Sequence, residues 1–183
     1  NVEDVPVLYW PTFATDLEKP TFYVDDIRFK QDKVFGTQFY IDLDMYQILG
    51  WQNPPAGTAW DISLDYLSKR GFATGTNFSY DRTNLFGIPG RAFGTLDAWG
   101  LYDNGLDNLG RNFRALFPEA DPRGRFFSRN RIISPSGLQL TTEIGFISDR
   151  NFLEQYFERE WDEFKDQATG LELKQLTDNR SWA

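Results

Sequence analysis

Cysteine and histidine are both missing from the 183 residues of this chain. The first absence excludes disulfides, thiol nucleophiles and thiolate metal sites within it. The second removes imidazole acid–base chemistry and any catalytic triad built on histidine. Basic charge is scarce: 19 Lys and Arg stand against 27 Asp and Glu, a formal charge of −8. Binding to a phosphate backbone needs a basic face, so nucleic acid is not an expected partner. Long apolar runs are also missing. No 18-residue apolar stretch occurs, so no transmembrane helix is expected.

Aromatic residues are plentiful instead, with 17 Phe, 8 Tyr and 6 Trp. This content suits β-strands, carbohydrate-binding surfaces or membrane interfaces. Alternation dominates the chain. In 34–46, Thr37, Phe39, Ile41, Leu43 and Met45 share one face, and Gln38, Tyr40, Asp42, Asp44 and Tyr46 the other. In 59–66, Trp60, Ile62, Leu64 and Tyr66 oppose Asp61, Ser63 and Asp65. In 72–80, Phe72, Thr74, Thr76, Phe78 and Tyr80 oppose Ala73, Gly75, Asn77 and Ser79. A weaker strand, rich in small residues, is predicted over 91–101, two more over 125–133 and 137–147, and alternation resumes over 168–176. Residues 180–183 read as the start of another strand. The prolines of 47–58 argue for a loop there. The polar segment 102–124 reads as a long connection with a helical turn at 111–117. No repeat and no domain boundary is visible, so 1–183 reads as a single segment. Its abrupt start and finish suggest a portion of a longer protein.

One stretch departs from strand periodicity. In EIGFISDRNFLEQYFEREWDEFKDQ (143–167), alternation gives way after Ser148-Asp149 to helical spacing of Phe152, Leu153, Tyr156, Phe157, Trp161 and Phe164. One short helix near 150–165 is predicted, with Asp149 as its cap and its aromatics packed on the rim of the sheet.

The polar strand faces carry the candidate chemistry. Asp42/Asp44 and Asp61/Asp65 have the side-sharing spacing of a glycosidase carboxylate pair, but acids on a wet strand face are ordinary. The run Asp103 to Asn108 resembles a calcium loop in residue types only. Arg114 stands at the twelfth position, where an EF-hand needs Glu, so a solvated loop is expected. The glycines form no phosphate-binding pattern. Arg125, Arg129 and Arg131 share a strand face with Phe127. They are candidate contacts for anionic groups in a lumen, although pairing with acids on a neighbouring strand explains them slightly better. No catalytic residue, cofactor or metal is expected.

Taken in order, four motifs resemble the lipopolysaccharide-assembly outer-membrane protein family (LptD/OstA). PVLYWPTFA (6–14) is similar to its passage from periplasmic domain into barrel. TFYVDDIRFKQDKVFGTQFYIDLD (21–44) resembles its first barrel hairpin. LDYLSKRGFATGTNFSYD (64–81), with Arg70 and Gly71, resembles the second. IISPSGLQLTTEIGFISDRNFLEQYF (132–157), with Ser148, Asp149, Phe152 and Leu153, resembles a later strand pair and its S-D turn. The resemblance implies an all-β fold, an antiparallel meander forming part of a large outer-membrane barrel. Isolated, it would be an open curved sheet, with residues 1–20 as the junction from a periplasmic domain.

The resemblance further implies insertion of lipopolysaccharide into the outer leaflet through a lumen and a lateral seam, without bond chemistry. Its implied partners are lipopolysaccharide, outer-membrane lipids, an LptE-like lipoprotein plugging the lumen and an LptA-like periplasmic bridge. Pro11, Pro20 and Phe22 are the nearest seam residues; Asp25 stands where the family's first strand often has Pro. Two other readings fit the alternation: a porin-like outer-membrane barrel, and a soluble carbohydrate-binding β-sandwich using Trp10, Trp51, Trp60 or Trp99 as stacking platforms.

Overall fold

The computed structural model describes residues 23–110, 114–162, 169–177 and 180–182. The seam candidates Pro11, Pro20 and Phe22, and Trp10, lie outside the described residues. Eleven strands are described: β1 (Val24–Asp32), β2 (Gly36–Asp44), β3 (Thr58–Leu67), β4 (Gly71–Thr83), β5 (Arg91–Leu101), β6 (Asp107–Leu109), β7 (Arg114–Leu116), β8 (Arg123–Ile133), β9 (Leu138–Ile147), β10 (Gly170–Thr177) and β11 (Arg180–Trp182). Among the described residues three short α-helices, α1 (Met45–Ile48), α2 (Phe152–Tyr156) and α3 (Glu158–Asp162), and a 3-10 turn (Leu85–Gly87) join them.

Nine strands form one open, curved antiparallel sheet in the order β1-β2-β3-β4-β5-β8-β9-β10-β11. Strands adjacent in the sheet follow one another in sequence, apart from a β6–β7 hairpin inserted between β5 and β8. The all-β meander is therefore as the alternation predicts. The register aligns the two periodicities across the sheet. Phe39, Tyr66 and Phe72 are cross-strand partners, as are Ile41, Leu64 and Thr74. On the opposite face, Asp42, Ser63, Gly75, Trp99, Arg125 and Ile147 form one row. One face is therefore aliphatic and aromatic, the other charged and polar.

Among the described residues nothing covers the apolar face. Phe72 is 77% exposed, Leu171 72%, and Ile27 and Phe146 63% each. Among the described residues the buried apolar cluster is small: Leu67, Ala73, Leu101, Phe152 and Leu153. It sits at one end of the sheet, where α2 and α3 fold back onto the polar face.

Several local expectations need correction. The predicted helical turn at 111–117 is a strand over 114–116, because Arg114–Leu116 pairs with Asp107–Leu109. The single helix near 150–165 is two five-residue helices. The break falls at Phe157, whose φ of −133° leaves the helical region. Strand β2 ends at Asp44, whose side chain accepts the Gln47 N–H at 3.0 Å and starts α1 instead of continuing the alternation to Tyr46. Asp25 marks a bulge, since Val24 pairs with Leu43 and Asp26 with Asp42. The strand expected to be weak, β5, is eleven residues long and fully paired on both sides.

Candidate functional site

Five ionised groups converge at the end of the sheet where α2 folds back. Arg70 comes from the β3–β4 turn, Arg123 from the start of β8, Asp103 from the segment after β5, Asp107 from β6 and Asp149 from the segment after β9. All are buried, and Arg70 and Arg123 are each 1% exposed. Arg123 is the hub. Its Nε and Nη2 each donate to Asp149 at 2.9 Å, a two-point fork. Its Nη1 donates to Asp103 at 2.9 Å and to Asp107 at 2.5 Å. Arg70 Nη1 donates to Asp103 at 3.3 Å and stands 4.0 Å from Asp107. The Tyr156 hydroxyl closes the set by donating to Asp103 at 2.6 Å.

Aromatic rings wall off this clasp. Trp99, Phe152, Tyr156 and Phe157 contact one another with centroids 5.3–6.1 Å apart. The Arg70 guanidinium lies 5.5 Å from the Phe35 ring centre, and that of Arg123 lies 5.5 Å from Tyr156. Taking ions out of water costs several kcal/mol each unless geometry and hydrogen bonds offset it. Here nearly every donor of Arg123 has a carboxylate opposite.

The acids differ in their protonation. Burial pushes Asp103 upward, but the Tyr156 hydroxyl, the Gly105 N–H and the two guanidiniums outweigh it and hold the carboxyl below the usual range. For Asp107 burial prevails over Arg123 and Arg70, and its carboxyl is raised. Burial first, then the Asp103 charge and hydrogen bond, push the Tyr156 phenol far above its ordinary value.

Further contacts hold α2 in place. Gln155 Oε1 accepts the Asn108 N–H at 2.6 Å, and Glu154 Oε1 accepts that of Gly110 at 2.7 Å. The helical segment is thereby tied to the β6–β7 hairpin as well as to the sheet. Arg125 pairs with Asp97 at 2.8 Å and Glu160 at 2.8 Å, with its guanidinium 3.5 Å from the Phe157 ring centre.

The motif residues Arg70, Gly71, Ser148, Asp149, Phe152 and Leu153, far apart in sequence, meet at or around this clasp. Ser148 donates to Asp149 at 2.9 Å and accepts the Gly124 N–H at 3.0 Å, setting the carboxylate for Arg123. Asp149 therefore does not cap α2 as expected. Asn151 occupies the N-cap without a side-chain bond, and Asp149 receives only its N–H, at 3.1 Å. Gly71 has φ +123°, and a Cβ there would stand 2.9 Å from the Tyr102 carbonyl oxygen. Only glycine lets the strand leave the turn with the 102–104 backbone lying against it. The solvated-loop reading of 103–108 is overturned, since Asp103 is 8% exposed and Asp107 0%.

Sequence reasoning missed Arg123, Asp103, Asp107 and Tyr156 as partners. Nothing in the alternation separates Arg123 from the other β8 arginines. Those sit further along the polar face: Arg129 pairs with Glu143 at 3.0 Å, and Arg131 donates to Thr141 at 3.1 Å. Of the aspartates with carboxylate-pair spacing, Asp42 meets Arg28 at 2.8 Å, Asp44 caps α1, and Asp65 accepts the Trp99 indole N–H at 2.7 Å. Trp99, held within the aromatic cluster, offers no free stacking platform, whereas Trp51 is 50% exposed. Among the described residues no cluster of acids has metal-holding geometry. No protein-family model matches the chain, and a search of curated proteins finds no significant relative.

Proposed function

We propose that the chain is part of an outer-membrane β-barrel of the lipopolysaccharide-assembly kind, carrying lipid across a polar lumen to a lateral seam. One observation carries the membrane reading: a nine-stranded meander exposes a continuous apolar face opposite a charged one. A contiguous exposed apolar face of this kind marks a membrane or partner surface more often than one left open to water. In a bilayer it is the lipid-facing side of a barrel, and the charged face lines the lumen. A sandwich would need a second sheet over the apolar face; among the described residues the other sheet is the two-stranded β6–β7 hairpin, attached at the clasp.

The transport reading rests on the four ordered motifs. What supports it in the geometry is that residues of two of the motifs, Arg70 and Gly71 of one and Ser148, Asp149, Phe152 and Leu153 of another, meet at the clasp that folds α2 and α3 over one end of the polar face. On this reading the protein is not an enzyme and resides in the cell outer membrane. Its partners are lipopolysaccharide, outer-membrane lipids, a lipoprotein plugging the lumen and a periplasmic bridge protein. On this reading sugar and phosphate groups pass along the polar face, on which Arg129 is paired with Glu143 and Arg131 donates to Thr141.

A porin-like channel is the second reading. It is favoured by charge segregation on the polar face, with aspartates on β1–β5 and arginines on β8. Photo-crosslinking residues at Phe22 (seam) and Asn77 (polar face) separate the two in outer membranes. Lipopolysaccharide adducts that grow with active transport support assembly. Adducts at neither site, in a protein that conducts ions, favour the channel.

A further inference from the structure

Beyond the aromatic cluster, the polar face opens into a cleft of about 470 Å³. Six aspartates line it against two arginines. The arginines are already engaged. Arg28 pairs with Asp26 at 3.1 Å and Asp42 at 2.8 Å, and Arg125 takes Asp97 and Glu160. Asp25, Asp61 and Asp65 have no ion-pair partner among the described residues. Asp25 comes from the β1 bulge and Asp61 from the first half of β3, and both carboxyls line the cleft. Asp65 is 5% exposed; its Oδ2 accepts the Trp99 indole N–H, while its Oδ1 has no partner at all. A buried carboxylate oxygen on a cleft wall with nothing donating to it is an unmet demand for a donor.

The two anionic points have a fixed separation. Asp61 and Asp65 lie four residues apart on the same face of β3, so about 13 Å of extended strand separates them. That spacing is too long for one small ion to serve both. Between them the wall is Ser63, with Asp42 opposite it on β2. Tyr40 and Trp99 flank the Asp65 end. The Tyr40 ring already receives the cationic groups of Arg28 at 5.4 Å and Lys30 at 5.6 Å, which shows the wall accepts cations.

We propose that this cleft is a binding site for an extended linear polyamine of spermidine's length. One terminal ammonium sits at the Asp25/Asp61 pair and the other at Asp65, where it supplies the missing donor. The methylenes run along β3 between them. The site depends on the polar face alone and not on what the barrel transports.

Isothermal titration of the full chain in detergent, at fixed ionic strength, tests it with spermidine as the probe. Saturable one-to-one binding is expected, with the shorter diamine putrescine weaker by roughly tenfold, about 1.4 kcal/mol. Asp65→Asn and Asp61→Asn should each weaken spermidine by a similar factor. Asn at 65 retains an oxygen for the Trp99 N–H, and Asp61 is only partly buried, so the second variant stands if the first fails to fold. Glu143→Gln, on the same face but paired with Arg129, should leave affinity unchanged. Equal affinity for both amines, equal loss in Glu143→Gln, or no saturable binding to folded protein would overturn the proposal.

Discussion

Arg123 and Asp149 face each other through two parallel hydrogen bonds of 2.9 Å, buried from solvent and 26 residues apart in sequence. One residue opens β8 and the other follows β9. Their fork fixes the point at which the chain leaves the sheet and turns inward as α2. The remaining bonds of Arg123, to Asp103 and Asp107, bring the long β5–β8 connection to the same point. A single side chain thus joins three segments that strand pairing alone would leave independent.

Replacing Arg123 with Met should therefore be severe. It strands three buried carboxylates, and breaking a buried pair in this way costs about 3–5 kcal/mol. Arg123→Lys should not rescue it, because an ammonium cannot make the fork. Combining Arg123→Met with Asp149→Leu should recover part of the loss, since both ends of the pair then go together. Thermal unfolding of the purified protein in detergent reads all three.

The clasp should also weaken at both ends of the pH scale. Asp103 has a depressed folded pKa, so its contribution is present above the ordinary carboxylate range and is lost as pH falls through the lowered folded value. Asp107 is raised and works in the opposite sense, its contribution fading as pH rises through its folded value. Tyr156 is raised too, so its contribution is complete below the ordinary phenol value of about 10 and is lost as pH climbs beyond it. Limited proteolysis within 102–122 should accelerate above about pH 10. Tyr156→Phe should remove that alkaline step while raising cleavage at neutral pH, where Asp103 has lost a donor.

Packing around α2 gives a sharper contrast. Phe152 is fully buried against Trp99, Tyr156 and Phe157, whereas Trp161 is 46% exposed. Phe152→Ala should cost about 3–5 kcal/mol. Trp161→Ala should stay within about 0.5 kcal/mol. Both are measured in the same unfolding assay.

At Gly71, Ala should destabilise by about 1–3 kcal/mol, because φ +123° is a conformation that side chains rarely adopt. The Cβ would also press on the Tyr102 carbonyl. Gly110 has a positive φ but no heavy atom within 4 Å of its would-be Cβ, so Gly110→Ala should cost less.

The sheet was readable in the sequence and the clasp was not, for a physical reason. Alternation is a local property: Trp60, Ile62 and Leu64 declare their face within five residues, and pairing then propagates it across the sheet. Asp103, Asp107 and Arg123 meet only after the β5–β8 connection has folded back, so their burial depends on contacts between distant segments. In isolation, acids among Gly and Asn read as a solvated loop. The 114–116 strand was missed for a related reason. Three residues carry too little pattern, and the β6–β7 pairing decides the conformation. Arg70, Ser148 and Asp149 stand in local motifs, whereas Arg123, which forks to Asp149 and shares Asp103 with Arg70, stands in none of them.

If the apolar face meets lipid, as proposed, the absence of cysteine from these 183 residues gives a direct test. Single substitutions Leu64→Cys and Phe146→Cys on the apolar face, and Asn77→Cys and Thr95→Cys on the polar face, can each be exposed to a water-soluble maleimide in native outer membranes. Labelling of 77 and 95 only is expected, with 64 and 146 becoming reactive once the membrane is replaced by denaturant. Equal labelling of both faces in intact membranes, or protection of the polar pair and reactivity of the apolar pair, would contradict it.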